Sequence, residues 1–422
     1  MAKQKKIQDN DGLYNFLRYY VDSVLKLSYR KIQFIGTEKI PQDGAVIYAP
    51  NHTNALMDAL VILAIDKKPK VFVARADIFK NPKLAKILAF LKILPIMRIR
   101  DGFNEVKKNQ ETIEKAADVL KDRIPFCIFP EGTHQAMYSS LPLSKGIFRI
   151  AIQAQSLIED QPLYIVPVGI KYGHFFRYRS TAKAVVGEPI NIREFLEKNN
   201  SYTPQEQLNI LKEILDERMK ETHLYIPNDE DYNATYEICN TLAPYMEKME
   251  AGKIVAEIKK NKPELAAELM KLGNEAFKLR TATVISQESA AVKYPIFSRF
   301  LSLLTVILLL PFTLPAAILT LPINAICAFL FTKLKDYAFR NSIRFLMNLV
   351  LWPILMIIYS SIAYCMMPWQ IALPLTLLLL PAPIFAHDSW RHIRLAGSDI
   401  LLLFHKDLKK KYKQIRNLVL NR

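Results

Sequence analysis

The chain has 422 residues, 51% of them hydrophobic, and carries 57 Lys and Arg against 40 Asp and Glu, a formal charge of +17. That composition excludes a disordered chain, and the length accommodates two or three structural units. Only 12 residues are Gly, neither GxGxxG nor a P-loop pattern occurs, and Cys127, Cys239, Cys327 and Cys365 form no CxxC pair, so a Gly-rich nucleotide loop, a disulfide framework and a zinc site are not expected.

In chain order, the first segment is MAKQKKIQDNDG, which has basic residues but no apolar core behind them, so no secretory signal is expected there. Residues 1–30 then read as an amphipathic helix, with Leu13, Phe16, Leu17, Tyr20, Val21, Val24 and Leu25 at helical spacing. Packing on its own domain and lying at a membrane surface are equal alternatives for it. Residues 31–200 alternate short apolar runs with helical stretches. The runs are AVIYAP at 45–50, VFVAR at 71–75, ILPIM at 93–97, FCIFP at 126–130, YIVPVGIKY at 164–172 and KAVVGEPI at 183–190; Asn54 to Ile65 and Glu111 to Lys121 are helix-like. This alternation predicts an α/β domain with a mixed, largely parallel sheet flanked by helices.

Residues 201–295 are charge-rich and helical. Thr203 and Glu206 have capping-box spacing, and Pro227, Pro244 and Pro263 divide the region. In 296–390, Phe300 to Thr332 and Phe345 to His387 contain no charged residue. About 20 apolar residues cross a hydrocarbon core, so these tracts predict transmembrane or re-entrant hairpins, with Pro368 and Trp369 as a turn in the second. Residues 391–422 form a basic tail in which Leu401, Phe404, Leu408, Tyr412, Ile415 and Val419 make a stripe expected to lie on a membrane surface.

The charge distribution decides between nucleic acid and membrane as the polyanionic partner. From Ile296 onward there are 14 Lys and Arg against 4 Asp and Glu, +10, and the rest of the chain carries +7. Lys333, Lys335, Arg340 and Arg344 separate the tracts, and Lys406 to Arg416 follow them. By the positive-inside rule both basic segments favour the cytoplasm. The expected chain is an integral membrane protein, facing the cytoplasm and not binding nucleic acid.

Two polar strand ends carry the chemistry. APNHTNALMD, residues 49–58, puts His52 just after a strand and Asp58 on the helix that follows; FPEGTH, residues 129–134, ends a second strand with Glu131, Gly132 and Thr133. Loops at strand C-termini are where such sheets bind ligands. His52 and Asp58 could instead bind a metal, but neither HExxH nor a His cluster accompanies them.

The Asn-His and Asp element, an FPEGT element about 80 residues later and a strand ending in Val166-Pro167-Val168 together resemble the glycerolipid acyltransferase family over roughly residues 31–200. The family acylates glycerol 3-phosphate, dihydroxyacetone phosphate and 1-acylglycerol 3-phosphate. The resemblance implies a catalytic dyad at His52 and Asp58, although five residues separate them here where the family has four. It places Arg98 as phosphate ligand, with Arg100 as an alternative, in an element running from Lys92, which stands at a family Gly position. Glu131, Gly132 and Thr133 match the acceptor-binding element, Lys145 is a candidate cation, and His134 stands where the family often has Arg or Ser.

General-base chemistry agrees with this. Acylating an alcohol from a thioester needs proton removal near neutral pH, which imidazole supplies, and a carboxylate fixes its tautomer. No GxSxG occurs and no serine nucleophile is implied; in this reading the acceptor hydroxyl attacks the thioester directly, and neither cofactor nor metal is expected. The expected partners are membrane lipids, an acyl-CoA or acyl-carrier-protein donor and a phosphorylated glycerol-type acceptor. The alternatives are remodelling of another lysophospholipid and a non-enzymatic scaffold built on a relic core.

Overall fold

The structure, a computed structural model, describes residues 6–97, 109–290 and 295–421. The chain divides into two compact units: residues 1–223 with Leu334–Phe345, and Leu224–Lys333 with Leu346–Arg422.

The first unit is built on an eight-stranded sheet in the order β1-β7-β6-β2-β5-β3-β4, with β8 paired to β6. The strands are β1 (Tyr29–Ile35), β2 (Ala45–Pro50), β3 (Val71–Arg75), β4 (Ile93–Ile96), β5 (Phe126–Cys127), β6 (Leu163–Tyr172), β7 (Ser180–Val186) and β8 (Ile190–Asn191). β2 pairs in parallel with β5 and β6, and β3 in parallel with β4 and β5, whereas β7 and β8 run antiparallel to β6. The mixed, largely parallel sheet expected from the alternation is thus present. Every residue of β2 is buried, as a central parallel strand covered on both faces requires.

Helix α1 (Gly12–Ser28) leads into β1, and α2 (Leu56–Leu63), α3 (Pro82–Phe90), α4 (Asn109–Lys121) and α5 (Gly146–Leu157) connect later strands. Ile113, Ala116 and Leu120 of α4 join Ile147, Phe148 and Ala151 of α5 and the inner strands in one core. β1 was not among the expected strands. In YRKIQFI only Tyr29 is fully buried, and charged residues occupy the exposed positions of an edge strand. Helix α1 buries Tyr14, Arg18, Val24 and Leu25 but leaves Leu13 and Phe16 exposed, so it packs through a face rotated from the apolar stripe read in the sequence. Its Arg18 donates to the backbone oxygens of Leu63, Asp66 and Lys68, closing the carbonyl end of α2.

In the second unit, α8 (Tyr232–Leu242), α9 (Lys248–Asn261) and α10 (Pro263–Ala282) follow α6 (Ile192–Lys198) and α7 (Pro204–Lys220) of the first. The capping box at Thr203 and Glu206 forms as expected at the start of α7. Fully buried Glu237 receives Arg280 Nε at 2.8 Å and the Tyr412 hydroxyl at 2.7 Å. That bond corrects the tail expectation: Leu408, Tyr412, Ile415 and Val419 of helix Lys406–Leu420 are buried against α8 and α10 rather than offered to a membrane surface. The helices of its own unit offer this stripe an apolar face, and burying it there removes it from water.

Among the described residues, two helices are long and apolar enough to cross a membrane, Phe300–Leu319 and Phe339–Met366, and the bent pair Trp369–Leu379 and Ala382–Phe404 would make a third. The first tract breaks at Thr320 into Pro295–Leu319 and Leu321–Lys333, and Pro368 caps the helix that starts at Trp369.

Candidate active site

The site forms where β2 and β5 end side by side. Asn51, the first residue beyond β2, accepts from the Ile170 amide at 2.6 Å through its side chain and donates back to the Ile170 carbonyl at 3.2 Å. These two bonds fasten the strand end to β6. The next residue, His52, is fastened to the β5 side: its amide donates to Glu131 Oε1 at 3.1 Å, and its carbonyl accepts from the Gln135 amide at 3.0 Å. The two polar loops singled out in the sequence are therefore one hydrogen-bonded construction.

Asp58 stands in the first turn of α2 and is fully buried. Its Oδ2 accepts from His52 Nδ1 at 2.8 Å, the Thr53 amide at 2.7 Å and the Asn54 amide at 2.6 Å, while Oδ1 accepts from the Tyr172 hydroxyl at 2.7 Å. Four donors converge on this one carboxylate and fix its position. The five-residue spacing is absorbed at Ala55, whose φ of 44° and ψ of −124° turn the chain sharply before α2. This is a conformation that L-residues seldom adopt, and its strain is offset by the amides it aims at Asp58.

With Nδ1 engaged, Nε2 of His52 is the nitrogen left for a substrate. The ring is 16% exposed and lies on Phe129, with centroids 4.1 Å apart and planes 23° apart. The arrangement can take a proton at Nε2 while the carboxylate stabilises the resulting imidazolium, the division of labour of a triad lacking its nucleophile.

Both carboxylate oxygens of Glu131 are used on backbone, Oε1 by His52 and Oε2 by the Leu141 amide at 3.3 Å. Burial pushes its pKa up to about 7, against the two amide bonds that pull it down. Each oxygen keeps a second lone pair, so an acceptor hydroxyl can still bond there. Gly132 has φ 66°, and nothing lies within 4 Å of where its Cβ would be, leaving the backbone open to a ligand. Thr133 beside it is exposed. Lys145 opens α5, next to Ser144, whose amide is held by the Pro130 carbonyl.

Arg98 and Arg100 lie outside the described residues. Lys92, at the start of their element, has φ 60°, so the backbone keeps the conformation that a Gly would hold there without strain. Its Nζ donates to the carbonyls of Ile7 and Asp9 at 2.7 and 2.9 Å. Among the described residues no group of three His, Cys, Asp or Glu could hold a metal ion.

The sequence reading missed Asn51, Phe129 and Tyr172 as parts of the site, though each lies within or beside a quoted motif. It also missed Asp336, whose Oδ2 is 2.7 Å from His134 Nε2. No sequence signal links residues 202 positions apart.

A family model described as Acyltransferase matches residues 31–171. Glycerol-3-phosphate O-acyltransferase 1 of Saccharomyces cerevisiae is 20% identical over 290 residues, 48% of this chain and 38% of that protein. A 1-acyl-sn-glycerol-3-phosphate acyltransferase of Cocos nucifera is 27% identical over 169 residues, 40% of this chain and 51% of that protein. The chain thus spans about half or less of these relatives' own lengths. The crystal structure of the 1-acyl-sn-glycerophosphate (LPA) acyltransferase PlsC from Thermotoga maritima aligns over 51% of this chain and 83% of that one, with 20% identity and a TM-score of 0.36. Residues 31–171 of the chain are thus similar to acyltransferases of glycerolipids.

Proposed function

We propose that the chain is a membrane-bound O-acyltransferase that moves a fatty acyl group from acyl-CoA or acyl-carrier protein to a hydroxyl of glycerol 3-phosphate, dihydroxyacetone phosphate or 1-acylglycerol 3-phosphate. The observation that carries the reading is the His52 ring bonded through Nδ1 to fully buried Asp58, with Nε2 unengaged by that pair. In this reaction His52 Nε2 removes the acceptor's hydroxyl proton as its oxygen attacks the thioester carbonyl. The tetrahedral adduct collapses with cleavage of the carbon–sulfur bond, and the proton passes from imidazolium to the departing thiolate. Asp58 stabilises the imidazolium between these steps.

Glu131, Gly132 and Thr133 form the acceptor's side of the site, with Lys145 and the arginines at 98 and 100 as cations for its phosphate. Membrane attachment is supported by the two apolar helices long enough to cross. A cytoplasmic catalytic face is supported by the basic residues between and after the apolar tracts.

The test is purified full-length protein, one acyl thioester, and the three phosphorylated acceptors compared with glycerol by thiol release and product mass. The proposal expects release with at least one phosphorylated acceptor and its acylated product. Release with glycerol alone would overturn the phosphate assignment, and no release with any acceptor or thioester would favour a scaffold.

A further inference from the structure

The segment Leu334–Phe345, which runs from the end of the first apolar tract into the first turns of helix Phe339–Met366, belongs to the sheet-containing unit. It meets that unit at His134, in the loop that holds His52, and at Phe175, in the connection between β6 and β7. On one side Asp336 Oδ2 bonds His134 Nε2 at 2.7 Å, and its Oδ1 accepts from the Ala338 amide at 2.8 Å, which fixes the carboxylate. On the other side Asn341 donates to the Phe175 carbonyl at 2.6 Å, the same oxygen that accepts from Asn54 at 2.7 Å. Asn54 is also the residue whose amide reaches Asp58.

A run of rings continues from this anchorage into the dyad. Phe339 meets His134 edge-on at 5.1 Å, and His134 meets His52 edge-on at 5.3 Å, while Phe129 covers a face of His52. A carboxylate accepts only, so Asp336 fixes a proton on His134 Nε2 and sets the plane of that ring. The Asp58 bond fixes only Nδ1 of His52, leaving rotation about that bond to be limited by Phe129 and His134.

We propose that Asp336 is a positioning residue for acyl transfer: by holding His134 it sets the orientation of the His52 ring, so the catalytic centre is completed by a segment far outside residues 31–171. This inference rests on the acyltransferase reading above. It would make the link between the apolar tracts part of the enzyme rather than a tether.

The experiment uses the full-length protein with Asp336→Ala, Asp336→Asn, His134→Phe and the Asp336→Ala/His134→Phe pair. Asp336→Ala is expected to lower kcat about 10- to 100-fold with both KM values within about threefold, and Asp336→Asn, which keeps one acceptor oxygen, to recover part of the loss. Because Asp336 acts through His134, the double variant should be no slower than His134→Phe within about twofold. Multiplying effects, or a change confined to KM, would overturn the proposal.

A second arm needs no turnover. The chain has seven histidines, so with ring nitrogens labelled, Asp336→Ala should move the NMR signals of both His134 and His52, assigned by His→Gln variants. Movement of His134 alone would overturn the positioning role. Absence of thiol release from the wild type would instead count against the acyltransferase reading, and the ring signals would still decide the role of Asp336.

Discussion

Asp58→Asn is the most informative single substitution, because it separates charge from shape. The carboxylate serves three donors at Oδ2 and the Tyr172 hydroxyl at Oδ1. An Asn in the same rotamer can put its carbonyl oxygen on the three donors and turn its NH2 toward the Tyr172 oxygen, which can accept. The loop and the His52 tautomer then survive, and the negative charge is gone. Opposite charges about 4 Å apart interact by ~4 kcal/mol at an effective dielectric of about 20. Some of that is lost to solvent at the partly exposed ring, which leaves about 3 to 4 kcal/mol, or about 10²- to 10³-fold in kcat. Asp58→Ala is less useful: it strands four donors, each costing ~1–3 kcal/mol if left unsatisfied, and the loop should come apart. The assay is acceptor-dependent thiol release at saturating substrates, alongside the thermal midpoint. The reasoning is refuted if Asp58→Asn keeps more than about a tenth of kcat with an unchanged midpoint, or if its loss lies wholly in KM.

Other consequences concern stability as well as rate. Glu131, raised by burial from 4.5 to about 7, keeps a proton in the folded chain that the unfolded chain releases. Its contribution is therefore complete below pH 4.5 and is lost as pH rises through 7, ~3 kcal/mol in all; raising the pH from 5 to 8 should lower the melting midpoint of the wild type relative to Glu131→Gln, and parallel curves would contradict this. At Ala55, with φ 44°, Ala55→Gly should be neutral or stabilising by up to ~1 kcal/mol, whereas Ala55→Val should cost ~2 kcal/mol and displace Asp58. Equal midpoints for the two variants would remove the strain argument. Glu237→Ala leaves Arg280 buried without its carboxylate and should destabilise the second unit by ~3–5 kcal/mol, while Glu237→Gln, which keeps an acceptor for Tyr412, should cost less. Denaturant midpoints of the three chains would decide.

Strand runs such as AVIYAP and VFVAR were legible because a parallel strand buried on both faces needs an unbroken apolar sequence. β1 was hidden by the opposite circumstance, since an edge strand tolerates Arg30, Lys31 and Gln33. His52, Asp58 and Glu131 stood out as polar residues at strand ends, but the sequence left open whether a five-residue gap could close. It closes through a backbone conformation at Ala55 that residue type does not announce. Tyr172 and Asp336 escaped because they reach the site through pairings fixed only by the fold. The buried stripe of the last helix escaped for a related reason: amphipathicity specifies that a face will be covered, not by what.

The central claim is that His52, held by Asp58, is the general base of an acyl transfer to a phosphorylated acceptor. Its most direct measurement is the rate of acceptor-dependent thiol release by purified wild-type and His52→Ala proteins of equal thermal midpoint, on the best of the three acceptors. The account predicts release by the wild type and a loss of at least about 10³-fold in His52→Ala. Full activity in His52→Ala would contradict it.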